Sequence, residues 1–140
     1  LGLIDETPTV YAVQAAGCAP IAAAWEVGKE TTEPWETPDT IVGELEVADP
    51  PGGDLALATL RESGGEVLTV EDDEALESAV AVASTETVEV GLAGGVAAAG
   101  LWSLAEDGTL GGEDEVVVLN TEAATKAPDV LRSHLMGQGV

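Results

Sequence analysis

Apolar positions along the chain follow two alternating rhythms. Val10 to Gln14 (VYAVQ) is short, β-branched and aromatic, which predicts a strand. Pro20 suits the first turn of a helix, where its missing N–H would have no partner anyway, and IAAAWEVG carries that helix to about Gly28. Lys29 to Asp39 is rich in Pro, Thr and Glu and reads as a surface loop. Thr40 to Val47 (TIVGELEV) is apolar and then alternating, so it reads as a strand or an entry segment, ended by Pro50, Pro51, Gly52 and Gly53. Leu55 to Glu62 is helical, with Leu55, Leu57 and Ala58 as its apolar positions, and Ser63-Gly64-Gly65 stops it. Glu66 to Val70 is a second strand. Glu71, Asp72 and Asp73 follow, where a helix N-terminus favours negative charge, and Ala75, Leu76, Ala79, Val80 and Ala83 share one helical face.

Gly91 to Glu106 is a helix of small residues. Glu115 to Asn120 (EVVVLN) is the clearest strand by pattern, because its unbroken Val-Val-Val-Leu run suits a parallel strand buried on both faces. A last helix follows Pro128 and runs to about Met136. Strands alternating with helices predict an α/β fold, a parallel sheet with helices on both faces. No internal repeat and no domain boundary interrupt the 140 residues, which are enough for one domain with a real core.

Charge changes this picture. The chain carries 27 acidic residues against four basic ones, a formal net charge of −23, yet 45% of its residues are hydrophobic. A disordered acidic chain would be poor in Val, Leu and Ala, so the charge decorates a folded domain. Such an excess repels itself unless salt screens it, and at molar salt the screening length falls to ~3 Å. A halophilic protein is the expectation, with low Lys and no Phe in agreement. The alternative, an acidic binder of basic partners, fits less well because the acids are spread along the chain. The same charge disfavours nucleic acid. Cys18 is the one cysteine, which excludes an internal disulfide framework. No signal-peptide pattern is visible, and Val90 to Leu104 is shorter than the ~20 residues of a membrane span. A cytoplasmic protein with no membrane partner is expected.

The residue pattern alone yields no self-sufficient active site. His134, the one histidine, has no Cys or second His for a metal site and reads as a solvent-exposed helix residue. Cys18 sits among small apolar residues with no cation near it in sequence, which suits a buried, inert thiol better than a nucleophile. Ser63 has no evident base. Gly91-Leu92-Ala93-Gly94-Gly95 opens a helix and so offers an anion seat, but close helix packing is the commoner reason for such glycines. Glu71 to Glu74 lacks the spacing of a calcium loop and reads as a helix start.

Ordered short motifs then carry a resemblance. Gly2-Leu3-Ile4-Asp5, Pro8, Val10-Tyr11-Ala12-Val13-Gln14-Ala15 and Gly17-Cys18-Ala19-Pro20-Ile21 resemble a "GLID…P…Y.VQAEG.API" run of threonine synthases. Thr40-Ile41 with Leu45-Glu46-Val47 and Pro50 is similar to "TIA…IRIGNP", and Glu62-Ser63-Gly64-Gly65 to "ESGG". Val70 to Glu74 is similar to "VSDEE", and Ala99-Gly100-Leu101 to "AGL". Val116 to Leu119, Thr121 and Lys126 fall where that family has "VVCVLTGHGLK", with Pro128-Asp129 after them. The series keeps its order over nearly the whole chain.

The resemblance implies the large domain of a fold type II pyridoxal-phosphate enzyme, related to tryptophan synthase β. It also implies threonine synthase activity, a lyase that eliminates phosphate from O-phosphohomoserine to form threonine. Such enzymes hold pyridoxal phosphate through a lysine Schiff base, a glycine-rich phosphate loop and a hydroxyl facing the pyridine nitrogen. The first two would lie upstream of Leu1, so the chain is expected to be a C-terminal portion without the catalytic lysine, catalytically silent alone. The third maps to Thr121, the cofactor-binding candidate, at the end of the best strand, where α/β sheets place ligands. A small amino-acid substrate is implied, and a homodimer is left open.

Two departures stand out. "TGHGLK" becomes Thr121-Glu122-Ala123-Ala124-Thr125-Lys126, losing both glycines, and "EPASAA" becomes Gly91-Leu92-Ala93-Gly94-Gly95-Val96. Glu122 is expected to bring a negative charge near the cofactor ring. These changes motivate an alternative: a divergent or inactive paralogue with an altered cofactor site, serving as a binding or structural protein.

Overall fold

A computed structural model describes residues 7–137. The Gly2–Asp5 part of the resemblance lies outside the described residues. Strand β1 (Ala12–Ala15) and strand β2 (Val67–Val70) pair in parallel, with Ala12 beside Val67 and Ala15 beside Val70. Parallel neighbours need a long crossover. Here it contains helix α1 (Pro20–Glu26) and helix α2 (Gly53–Ser63), which pack against each other. α1 begins at Pro20 as expected, and its N-cap, Ala19, has no side-chain acceptor. Gln14 in β1 replaces it: its Oε1 accepts the amides of Ile21 at 2.9 Å and Ala22 at 3.0 Å. α2 stops at Gly64, whose φ of 74° is left-handed backbone that glycine adopts without strain.

Helix α3 (Asp72–Glu86) starts with a capping box, in which the Glu71 side chain accepts the Glu74 amide and the Glu74 side chain accepts the Glu71 amide. Asp72 reaches outward as well. It accepts the Thr40 hydroxyl at 2.5 Å and the Ile41 amide at 2.9 Å, tying the loop before residue 43 to the start of α3. Helix α4 (Leu92–Glu106) packs on α3 and on both strands. Interior glycines cost a helix roughly 0.5–1 kcal/mol each relative to alanine. α4 carries them because its neighbours are too close for a side chain. A Cβ at Gly95 would fall on the Ala75 carbonyl oxygen, and one at Gly100 on the Val13 side chain. The core joins Ala15, Val42, Val70, Ala75, Leu92, Ala93, Val96 and Ala99. Helix α5 (Pro128–Gly137) closes the described chain, with Val130 and Leu131 packed against that core.

Two expectations are corrected. Thr40 to Val47 is not a strand: Gly43–Leu45 forms a 3₁₀ turn, and Val42 is buried from a loop. The run Glu115 to Asn120 forms no strand either. An apolar run signals a demand for burial and names no partner. Among the described residues no strand lies beside this one, so Val117 is 85% exposed and Leu119 75%.

Candidate cofactor-facing site

Residues 120–126 lead from the apolar run into α5 and meet the N-terminus of α4. The contact is made by Glu122, a buried acid that is only 7% exposed. Its Oε2 accepts the Ala93 amide at 2.9 Å, and its carbonyl accepts the Gly91 amide at 2.9 Å. Its own amide donates to Asn120 Oδ1 at 3.3 Å. The first amides of a helix lack intrahelical partners and carry partial positive charge, so a carboxylate there satisfies both needs. Gly91 and Gly94 leave the room. A Cβ at Gly91 would lie 2.6 Å from Glu122 Cδ, and one at Gly94 would fall on Asn120 Oδ1.

The glycines at this helix start therefore serve two purposes. Gly95 permits close helix packing, as expected, whereas Gly91 and Gly94 admit the 120–122 loop. The anion seat at α4 is filled by Glu122. Its carboxylate is turned into the helix end rather than left as a free charge. Local pattern could not show this, since the two partners are 29 residues apart.

Thr121 stands beside Glu122 at the surface, exposed, and no hydrogen bond to its hydroxyl occurs among the described residues. Other candidates lie elsewhere. Cys18 is fully buried; burial pushes its thiol up, the Glu46 charge adds to this, and the Val47 backbone opposes it, so the reactive thiolate is disfavoured. Ser63 Oγ accepts the Val10 amide and donates to the Leu60 carbonyl, both at 3.1 Å, which is a structural link between the segment before β1 and the end of α2. His134 is half-buried rather than solvent-exposed, because α5 lays it in a shallow groove with Leu76 and Val130. Lys29 pairs with Glu33 at 2.7 Å and Lys126 with Glu44 at 3.1 Å, both at the surface. No helix among the described residues is long and apolar enough to cross a membrane.

Comparison with known proteins decides the family. Residues 1–122 match the pyridoxal-phosphate-dependent enzymes, a stretch that ends on Glu122 and includes Thr121. The chain belongs to the pyridoxal-phosphate-dependent enzyme family. Within it, the chain is similar to threonine synthase of Methanosarcina acetivorans, 32% identical over 94% of this chain and 32% of that protein. It is 31% identical to threonine synthase of Methanocaldococcus jannaschii, over 91% of this chain and 32% of the relative. Threonine synthase of Mycobacterium bovis is 33% identical over 92% of this chain and 34% of its own length. The chain thus spans about a third of these relatives.

Solved structures share its fold. Maize serine racemase superposes with a TM-score of 0.58 over 93% of this chain and 40% of its own, at 18% identity. The threonine deaminase of T.th. gives 0.56 over 77% and 41%, also at 18%. The α/β fold expected from the sequence, that of fold type II pyridoxal-phosphate enzymes, is the one observed.

Thr121 presents an exposed hydroxyl that makes no hydrogen bond among the described residues. The α4 N-terminus does not fit a phosphate, since the Glu122 carboxylate already holds its amides.

Proposed function

We propose that this chain supplies the Thr121-bearing part of a threonine-synthase-type enzyme, which forms threonine from O-phosphohomoserine with loss of phosphate. The observation that carries this reading is the identity of 31–33% to three threonine synthases along more than nine-tenths of the chain. Pyridoxal phosphate, when bound, supplies the electron sink for such chemistry, and the protein supplies orientation and electrostatics. Thr121 would hold the ring by a hydrogen bond to its pyridine nitrogen. A neutral hydroxyl leaves that nitrogen unprotonated, which limits the ring's electron withdrawal and suits elimination from the side chain of the substrate. The phosphate seat and the cofactor-linking lysine would come from outside residues 1–140. We place this enzyme in the cytoplasm of a salt-adapted cell. A second reading, a divergent paralogue with an altered cofactor site, is favoured by one observation, the closure of α4 by Glu122.

Thr121→Val preserves shape and deletes the hydroxyl. One hydrogen bond contributes about 0.5–1.5 kcal/mol, so pyridoxal phosphate affinity of the full-length gene product should fall roughly 2- to 10-fold. Fluorescence titration measures this, and unchanged affinity and turnover would remove Thr121 from the site. The 140-residue chain alone is expected to be silent. After incubation with pyridoxal phosphate and borohydride, mass spectrometry should find no stoichiometric label on Lys29 or Lys126. One label per chain on either would refute the expectation.

A further inference from the structure

We propose that Glu122 is the positioning residue of this site: pinned into the start of α4, it fixes the backbone that presents Thr121. The inference rests on the reading of Thr121 given above. Three hydrogen bonds converge on residue 122, one each from its carboxylate, carbonyl and amide. Two come from amides at the start of α4, those of Gly91 and Ala93, and the third closes on Asn120. Thr121 lies between Asn120 and Glu122, so both of its flanking residues are held. The residues before it are not: Val117 and Leu119 are largely exposed and lack a neighbouring strand. The placement of Thr121 therefore comes from α4 through Glu122, and not from a sheet.

The pocket for the pin is reciprocal. Gly91 has ordinary backbone angles, φ −80° and ψ −174°, so glycine is not needed there for conformation. It is needed for space, because a Cβ would lie 2.6 Å from Glu122 Cγ, Cδ and Oε2 at once. Gly91→Ala is thus a way to unseat Glu122 without altering Glu122 or Thr121. This assigns a use to a residue that departs from the resembled "TGHGLK" motif. The carboxylate that would disturb a cofactor as a free charge instead orders the loop.

The test uses ¹⁵N relaxation and amide exchange on the chain in molar potassium chloride. In wild type, Thr121 should have an order parameter near the rigid value of about 0.85, and in Glu122→Ala it should fall toward about 0.6. Exchange at Ala93 and Gly91 should accelerate on the order of 10- to 100-fold, as expected for losing a charge-assisted bond. Glu122→Gln keeps an acceptor oxygen and should restore most of both. Gly91→Ala should copy Glu122→Ala, yet add little on top of it, since removing the carboxylate clears the clash. In the full-length gene product, Glu122→Ala should weaken pyridoxal phosphate binding as Thr121→Val does, and the pair should be no worse than Thr121→Val alone. A Thr121 order parameter unmoved by Glu122→Ala, or additive effects of Gly91→Ala and Glu122→Ala, overturns the proposal. If the relaxation results hold while Thr121→Val leaves cofactor affinity intact, the pin stands and the cofactor reading fails.

Discussion

Raising potassium chloride from 10 mM to 1 M should lift the unfolding midpoint by on the order of 10–20 °C. Twenty-seven acids face four Lys and Arg residues, so few of them can find a partner. Ion pairs among the described residues include Lys29–Glu33, Lys126–Glu44 and Arg132–Asp129. Arg61 is otherwise engaged, donating to the Lys29 carbonyl at 2.7 Å and lying 5.2 Å from the Trp25 ring centre. The remaining acids repel one another over a screening length of about 30 Å at 10 mM salt, which spans much of a domain this size, and about 3 Å at 1 M. Folding brings these charges together, so screening stabilises the folded state more than the unfolded chain. Exposed surface pairs contribute too little to offset this. Thermal melts followed by circular dichroism across the range provide the check. A flat midpoint would sink the argument. A rise with sulfate but not with chloride would trace the effect to salt exclusion and strengthened burial instead.

Local chemistry was the legible part of the fold. Pro20 at the start of α1, Gly64 at the end of α2 and Glu71 before α3 each act within one turn of where they stand, and each appears where the pattern placed it. Long-range satisfaction was not legible. Ala19 shows that α1 lacks a local cap, but nothing in the pattern points to Gln14 as the substitute. The same holds for Asp72, whose carboxylate is spent on Thr40 and Ile41. The Glu115–Asn120 run fails for another reason. Strand formation depends on a neighbour, and among the described residues none pairs with this run.

The site divides along the same line. Thr121 was reached through an ordered resemblance; it follows an apolar run that forms no strand, and its neighbour Glu122 makes the contact with α4. Glu122 looked like a charge placed near a cofactor because its neighbour in sequence is Thr121. Its carboxylate accepts the Ala93 amide at the start of α4, while Thr121 beside it is exposed. Glycines 91 and 94 were visible as small residues, but their reason, room for Glu122 and Asn120, required the partner to be known.

One added methyl at the seam between α3 and α4 should be clearly destabilising. Helix propensity alone makes Gly95→Ala favourable by up to about 1 kcal/mol. Packing reverses the sign. The new Cβ would fall on the Ala75 carbonyl oxygen and lie 3.0 Å from the Ala79 Cβ. A long side chain can swing aside, but the Ala75 carbonyl is backbone of a 15-residue helix held at its start by a capping box. The whole helix must move, and Ala75 and Ala79 are both core residues on the face it would withdraw. Overpacking of this kind costs about 1–3 kcal/mol, and Gly95→Val should exceed that. For a domain of this size the midpoint should drop by roughly 5–15 °C at fixed molar salt. Gly112→Ala is the control, since nothing lies within 4 Å of its Cβ position and its backbone is unstrained. It should be neutral or slightly stabilising. Ala79→Gly should not rescue Gly95→Ala, because the first obstacle is the carbonyl and not the methyl. A Gly95→Ala protein as stable as wild type, or a full rescue by Ala79→Gly, would mean that α3 and α4 do not meet backbone to backbone at this point.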